Sequence, residues 1–199
     1  MSIVPPFRIL TVCTGNICRS PMAERLLQSE LDRLSPGVFA VESAGTAAMV
    51  GSDMEPHIEG FVRASGASSD GFSARQLTRN ILDQQDLVLA LTREHRSRIV
   101  EMHPGLLKRT FTLRELARVL PHVDGARGVH PAERWELAIP LAMRARTLHR
   151  GSAADDDVVD PYRRGDHVFD QMKKQLAPAI QTIIAWEKSN HAPRPLRHE

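Results

Sequence analysis

Cysteine is scarce in this sequence of 199 residues: there are two, Cys13 and Cys18. Two thiols in one short stretch cannot staple a small secreted scaffold, so a disulfide framework is excluded and a reducing, cytoplasmic setting is expected. They cannot build a structural zinc site either, which takes four ligands, and the nine histidines are dispersed without ligand spacing. No metal and no cofactor is expected. An excess of one charge is also missing. The 26 basic and 24 acidic residues are interleaved and leave a formal net charge of +2. A nucleic-acid surface would show a clustered basic excess, so no nucleic-acid partner is expected. No apolar run approaches the roughly 18 residues that a membrane span requires. The opening MSIVPPFRILTVC lacks the basic segment and long apolar stretch of a secretion signal.

What is present is alternation. RILTV (8–12), VFAVESAG (38–45), LVLAL (87–91) and a short run in KRTFTL (108–113) read as strands. Between them lie helical patterns: one from Pro21, then 54–66, a turn after Asn80, 93–105 and LRELARVL (113–120). Pro21 sits in the first turn of its helix, where proline is tolerated. A last helix from about Asp166 to Lys188 aligns Val168, Met172, Leu176, Ile180, Ile183 and Ile184 on one face. Strand and helix in turn predict an α/β fold, a three-layer sandwich with a central four-stranded parallel sheet flanked by helices. One domain is expected over 1–188. Residues 189–199 have no apolar pattern and are expected to be disordered.

The stretch TVCTGNICRSPMAE (11–24) falls in the loop between the first strand and the first helix. Such loops bind ligands at the carboxyl ends of parallel strands. A curl before a helix N-terminus turns several backbone N–H groups inward, and the helix dipole adds positive potential, which makes an anion site. Gly15 and Asn16 accept the left-handed backbone that a curl needs. Arg19 adds a bidentate contact for a phosphate-like oxyanion. The same field acts on Cys13, because a thiol of pKa ~8.5 can be lowered to roughly 3.5–7.5 by helix N-termini and cations. Cys13 is then a nucleophile inside an oxyanion cradle. A Walker phosphate loop is excluded, since its Gly-Lys-Ser/Thr ending is absent.

VCTGNICRSPMAE resembles the signature of the low-molecular-weight protein tyrosine phosphatases almost residue for residue. The similarity covers roughly residues 8 to 120 and 155 to 188. It implies a hydrolase in which Cys13 attacks phosphate and forms a phosphocysteine. Thr14, Gly15, Asn16, Ile17 and Cys18 would supply backbone donors, and Arg19 would hold the equatorial oxygens. Asn16, Ser20 and Ser43 match the positions that brace the loop. FSARQLT (72–78) matches a further family segment, with Phe72 where members usually carry histidine. The implied partner is a phosphotyrosine-bearing protein, a tyrosine kinase being one candidate.

The reaction also needs a proton donor for the leaving oxygen. DDDVVDPYRRG (155–165) offers four aspartates. Asp155 to Asp157 read most simply as a solvated acidic loop. Asp160 precedes Pro161, which restricts its backbone, and the family's acid likewise sits in an Asp-Pro pair before an aromatic. Asp160 is therefore the expected acid and Tyr162 a pocket wall. Met49 stands where many members carry an aromatic residue, as does Arg163. Met49 is either an apolar flank for a phenyl ring or a plain loop methionine. A stretch of about thirty extra residues (121–154) predicts a helix after Pro131, interrupted or kinked at Pro140, either scaffold or part of the site's rim. Two other readings stand beside the phosphatase: an arsenate reductase of this fold using an external thiol, and a non-catalytic phosphate-binding module.

Overall fold

The structure, a computed structural model, describes residues 5–125 and 129–191. Four strands, β1 (Phe7–Cys13), β2 (Phe39–Gly45), β3 (Leu87–Ala90) and β4 (Thr110–Thr112), form one parallel sheet in the order β2-β1-β3-β4. The helices are α1 (Arg19–Leu34), α2 (Pro56–Ala64), α3 (Arg79–Asp83), α4 (Arg93–Met102), α5 (Leu113–Val119), α6 (Pro131–Leu148), α7 (Ala153–Asp156) and α8 (Asp166–His191). This is the expected α/β sandwich.

β1 reads as a mostly apolar run because helices cover both of its faces. Phe7, Ile9 and Cys13 turn to the side of α1, α5 and α8, joining Leu27, Leu116 and Met172 in the larger core. Leu10 and Val12 turn to the other side, where Leu82 of α3 and Ile99 of α4 meet them. The sheet is thus pinned from both faces, and the carboxyl ends of β1 and β2 are held in register, Cys13 opposite Gly45. Gly45 is required there: a Cβ would sit 2.4 Å from the Thr14 carbonyl oxygen.

Some boundaries differ from the sequence reading. The helix read over 93–105, with Pro104 and Gly105 as its stop, does end before that proline, at Met102, and Pro104–Arg109 forms a separate 3-10 segment, because Pro104 has no N–H to continue the ladder. The last helix passes Lys188 and runs to His191. Asn190 is buried there and its Nδ2 donates to the Trp186 carbonyl at 2.8 Å, so residues 189–191 of the expected disordered tail are helical. Residues 192–199 of that tail lie outside the described residues.

The extra stretch supplies α6, whose Trp135, Ala138, Ala142 and Ala145 enter the larger core. Of the interruption or kink expected at Pro140, the interruption is absent: helix persists through it. Pro140 and Glu136, whose carbonyl loses its donor, are both exposed, so water can serve that oxygen. The Trp135 ring meets Phe7 at 6.2 Å and Trp186 at 5.0 Å, and its Nε1 donates to Glu187 at 2.9 Å. At its other end Arg146 donates to the Thr110 carbonyl at 2.9 Å. Phe7 and Thr110 begin their strands, so α6 packs at the end of the sheet opposite the anion loop.

Candidate active site

The loop after β1 turns its carbonyls outward. Those of Cys13, Thr14, Gly15 and Ile17 accept from the backbone N–H groups of Thr46, Ala47, Met49 and Glu55, at 2.9–3.0 Å. With the carbonyls spent on the segment after β2, the peptide planes aim their N–H groups at the centre of the curl. Among the described residues, none of the amides of Thr14 to Cys18 donates to a protein acceptor. Asn16 takes the left-handed backbone that the curl requires, with φ of 56°. Gly15, expected to share that role, does not, and a Cβ there would make only ordinary contacts, 3.7 Å from Ile17 and 3.9 Å from Met49. α1 begins at Arg19, so its N-terminal dipole points into the same space.

The Asn16 side chain locks this shape. Its Nδ2 donates to Ser20 Oγ at 3.0 Å and to Ser43 Oγ at 2.8 Å, and its Oδ1 accepts from the Arg75 amide at 2.8 Å. Ser43 in turn donates to Glu24. The direction of these bonds matters. Ser20 accepts from Asn16, which leaves its own hydroxyl proton for the Cys13 sulfur 2.9 Å away. Cys13 is thereby offered a hydrogen bond as an acceptor. Glu24 closes the chain from a largely buried position, and burial pushes its carboxyl above the usual range. At the Phe72 position, where the family usually has histidine, the ring instead lies under the Arg25 guanidinium at 5.8 Å.

Arg19 is buried, with its guanidinium fixed by three acceptors. Nη1 donates to the Val158 carbonyl at 3.2 Å, and Nη2 to Thr14 Oγ1 at 3.4 Å and to Asp160 Oδ2 at 2.6 Å. Asp160 reaches it from a loop ending in the buried Pro161, and its other oxygen accepts from the Tyr162 amide at 3.1 Å. Cys13, Thr14, Gly15, Ile17, Cys18, Arg19, Met49, Asp160 and Tyr162 line one pocket of about 250 Å³. Asn16, Ser20 and Ser43 stand behind its wall. Ala47 also lines the pocket, and nothing in its residue type announced it. The Cys18 thiol is pushed up to about 12, first by burial and then by neighbouring Cys13, so it stays protonated and contributes backbone to the cradle.

His95 escaped sequence reading altogether. Its Nε2 lies 2.9 Å from Thr14 Oγ1 and its Nδ1 2.9 Å from Thr92 Oγ1. The one signal was Thr92-x-x-His95, the spacing of a helix-capping pair, and Thr92 does cap α4 by accepting from the His95 amide. Burial, then the Arg19 charge, lowers His95 to about 4 against an ordinary 6.5. The folded imidazole is therefore neutral while an unfolded one protonates first on acidification, so stability present above about pH 6.5 is lost between there and about 4. The loss is on the order of 3 kcal/mol. His95→Gln is expected to flatten that acid limb in urea unfolding at pH 7.5 and 4.5. An equal acid loss in the variant would show that His95 does not carry it.

The acidic run is not a uniformly solvated loop. Asp155 is exposed and caps α7 with Ser152. Asp156 is 2% exposed and paired with Arg93 and Arg118, a correction to the sequence reading. Asp157 accepts from the Arg93 amide at 2.8 Å.

Comparison with known proteins adds independent findings. The low molecular weight phosphotyrosine protein phosphatase family matches residues 8–125. A protein-arginine-phosphatase of Geobacillus stearothermophilus is 42% identical over 110 residues, covering 55% of this chain and 71% of that protein. The low molecular weight protein-tyrosine-phosphatase Wzb of Escherichia coli K12 is 43% identical over 98 residues, 49% of this chain and 63% of that one. Among solved structures, the YwlE arginine phosphatase of G. stearothermophilus superimposes with a TM-score of 0.65 at 28% identity, over 92% of this chain and 94% of that one. A low molecular weight protein tyrosine phosphatase of T. tengcongensis gives 0.65 at 25% identity, over 90% and 98%.

Proposed function

Because the chain belongs to the low molecular weight phosphotyrosine protein phosphatase family, we propose that it hydrolyses protein phosphotyrosine through a phosphocysteine. The observation that carries this reading is the single pocket holding Cys13, the inward amides, Arg19 and Asp160. The phosphoryl group enters with its oxygens on the amides of Thr14 to Cys18 and on Arg19, which exchanges its bond to Asp160 for the phosphate. The Cys13 sulfur attacks phosphorus, an S–P bond forms and the P–O bond to the tyrosine breaks. Asp160, which takes up a proton on leaving Arg19, gives that proton to the departing phenoxide. A water then attacks phosphorus and loses its proton to Asp160, and the S–P bond breaks to release inorganic phosphate. The Ser20 hydroxyl stabilises the sulfur as nucleophile and again as leaving group.

A second reading has a specific motive, since one relative is named a protein-arginine-phosphatase. The pocket walls favour the aryl substrate. Ile17, Ala47, Met49 and Tyr162 are apolar or aromatic, which suits a phenyl ring better than a guanidinium that would lose its hydration there. The arsenate-reductase reading would need an external thiol, because Cys13 and Cys18 are the only cysteines. A chemistry that depends on a free thiol also supports a reducing, cytoplasmic setting. No helix of the described residues is long and apolar enough to cross a membrane.

The test is turnover of phosphotyrosine, phosphoarginine and phosphoserine peptides and of arsenate, side by side. The phosphotyrosine peptide is expected to lead by at least about tenfold in kcat/KM, or roughly 1.4 kcal/mol of transition-state binding. A phosphoarginine peptide in first place would overturn the aryl reading in favour of the second. Binding of phosphate without any turnover would leave only the non-catalytic module.

A further inference from the structure

The segment from His149 to Asp157 carries the chain from the end of α6 to the Asp160 loop, and three arginines grip it. Arg118 Nε donates to the His149 carbonyl at 3.0 Å, and Arg93 Nη2 to the Gly151 carbonyl at 2.6 Å. Arg114 Nη1 reaches the carbonyls of Ala154 and Asp157, both at 2.7 Å. These arginines come from α4 and α5, which lie against the sheet on opposite faces.

Asp156 joins the two ends of this clamp. Its Oδ2 accepts from Arg93 Nε at 2.8 Å, and its Oδ1 lies 2.7 Å from Arg118 Nη1. Two guanidinium groups face this buried carboxylate, and such a pairing does more for geometry than for net stability. One residue on, Asp157 accepts from the Arg93 amide. Val158 then donates to the Leu91 carbonyl at 2.9 Å, just past β3, and its own carbonyl takes Arg19. Asp160 follows two residues later. The loop that bears it is tied to the sheet almost residue by residue.

We infer that Asp156, acting through Arg93 and Arg118, positions the Asp160 loop so that the proton donor stands over the pocket before substrate arrives. Asp156 lines no part of the pocket; it is a positioning residue. The inference rests on the reading of Asp160 as the acid. A small displacement of a catalytic group costs rate steeply, up to about a hundredfold per ångström. The loss should fall only on substrates that need the proton.

The experiment is a double-mutant cycle read with two leaving groups, phenyl phosphate and the activated 2,4-dinitrophenyl phosphate. Asp156→Asn is expected to lower kcat about 10- to 100-fold on phenyl phosphate and less than about threefold on the activated ester. Arg118→Gln, which opens the other end of the clamp, should give the same pattern and guards against a folding defect in the first variant. With Asp160→Ala in the background, Asp156→Asn should add less than about twofold, since there is no acid left to misplace. Equal losses on both esters, or full additivity with Asp160→Ala, would overturn the clamp while leaving the acid in place. If Asp160→Ala alone shows no leaving-group dependence, the acid reading falls, and the clamp with it.

Discussion

Cys13→Ser is expected to abolish turnover of aryl phosphates while leaving phosphate and vanadate bound. The expected loss in kcat is at least about four orders of magnitude, the scale on which nucleophile removal acts in covalent hydrolases. A serine hydroxyl in this pocket keeps its proton, because the Ser20 bond that suits a thiolate cannot bring an alcohol of far higher pKa to ionise. Binding survives for a different reason. The cradle is made of backbone amides whose carbonyls are spent on Thr46, Ala47, Met49 and Glu55, and of Arg19, which is held independently of the sulfur. Inhibition constants for vanadate against wild type, and direct titration of the variant with phosphate, separate the two quantities. A variant with turnover near that of the wild type would remove Cys13 from the role of nucleophile.

Asp160→Ala should divide substrates by their leaving groups. For phenyl phosphate or a phosphotyrosine peptide the expected fall in kcat is about 10²- to 10³-fold, within the usual range for a positioned general acid. For 2,4-dinitrophenyl phosphate, whose phenoxide departs without a proton, it should be no more than a few-fold. The variant has a second signature. In the free protein Asp160 occupies Arg19 at 2.6 Å, so a phosphate must displace a carboxylate to reach the guanidinium. Alanine removes both that competitor and its negative charge. Inorganic phosphate should therefore bind the variant at least as tightly as the wild type, with kcat and affinity moving in opposite directions. A uniform loss across leaving groups, or weakened phosphate binding, would mean that Asp160 serves Arg19 and not the leaving oxygen.

Much of this was legible in the chain itself, wherever the cause is local. RILTV declares a strand covered on both faces by being mostly apolar on both of them, and the three- and four-residue spacing of Met22, Leu26, Leu27 and Leu31 declares the helix after it. Between them, Cys13, Asn16 and Arg19 have the residue types an anion loop needs, within the reach of a single curl. Asp160 was separable from its neighbours because proline acts on the residue before it.

Tertiary structure decided whatever depends on a partner far along the chain. Asp155, Asp156 and Asp157 are chemically identical; Ser152 three residues earlier marks Asp155 as a capping partner, but nothing local tells Asp156 from Asp157. Asp156 is buried because Arg93, 63 residues earlier, and Arg118 converge on it. The same holds for His95, 81 residues from Thr14, and for Ser43, 27 residues from Asn16. The extra helix followed this rule too. Its start at Pro131 was readable from a first-turn proline. Its place at the far end of the sheet came from Trp135 meeting Phe7 and Trp186, because a buried aromatic face goes where the core leaves room for it. Local chemistry names the groups that can react; packing over long separations sets which of them are dry, paired and held over the pocket.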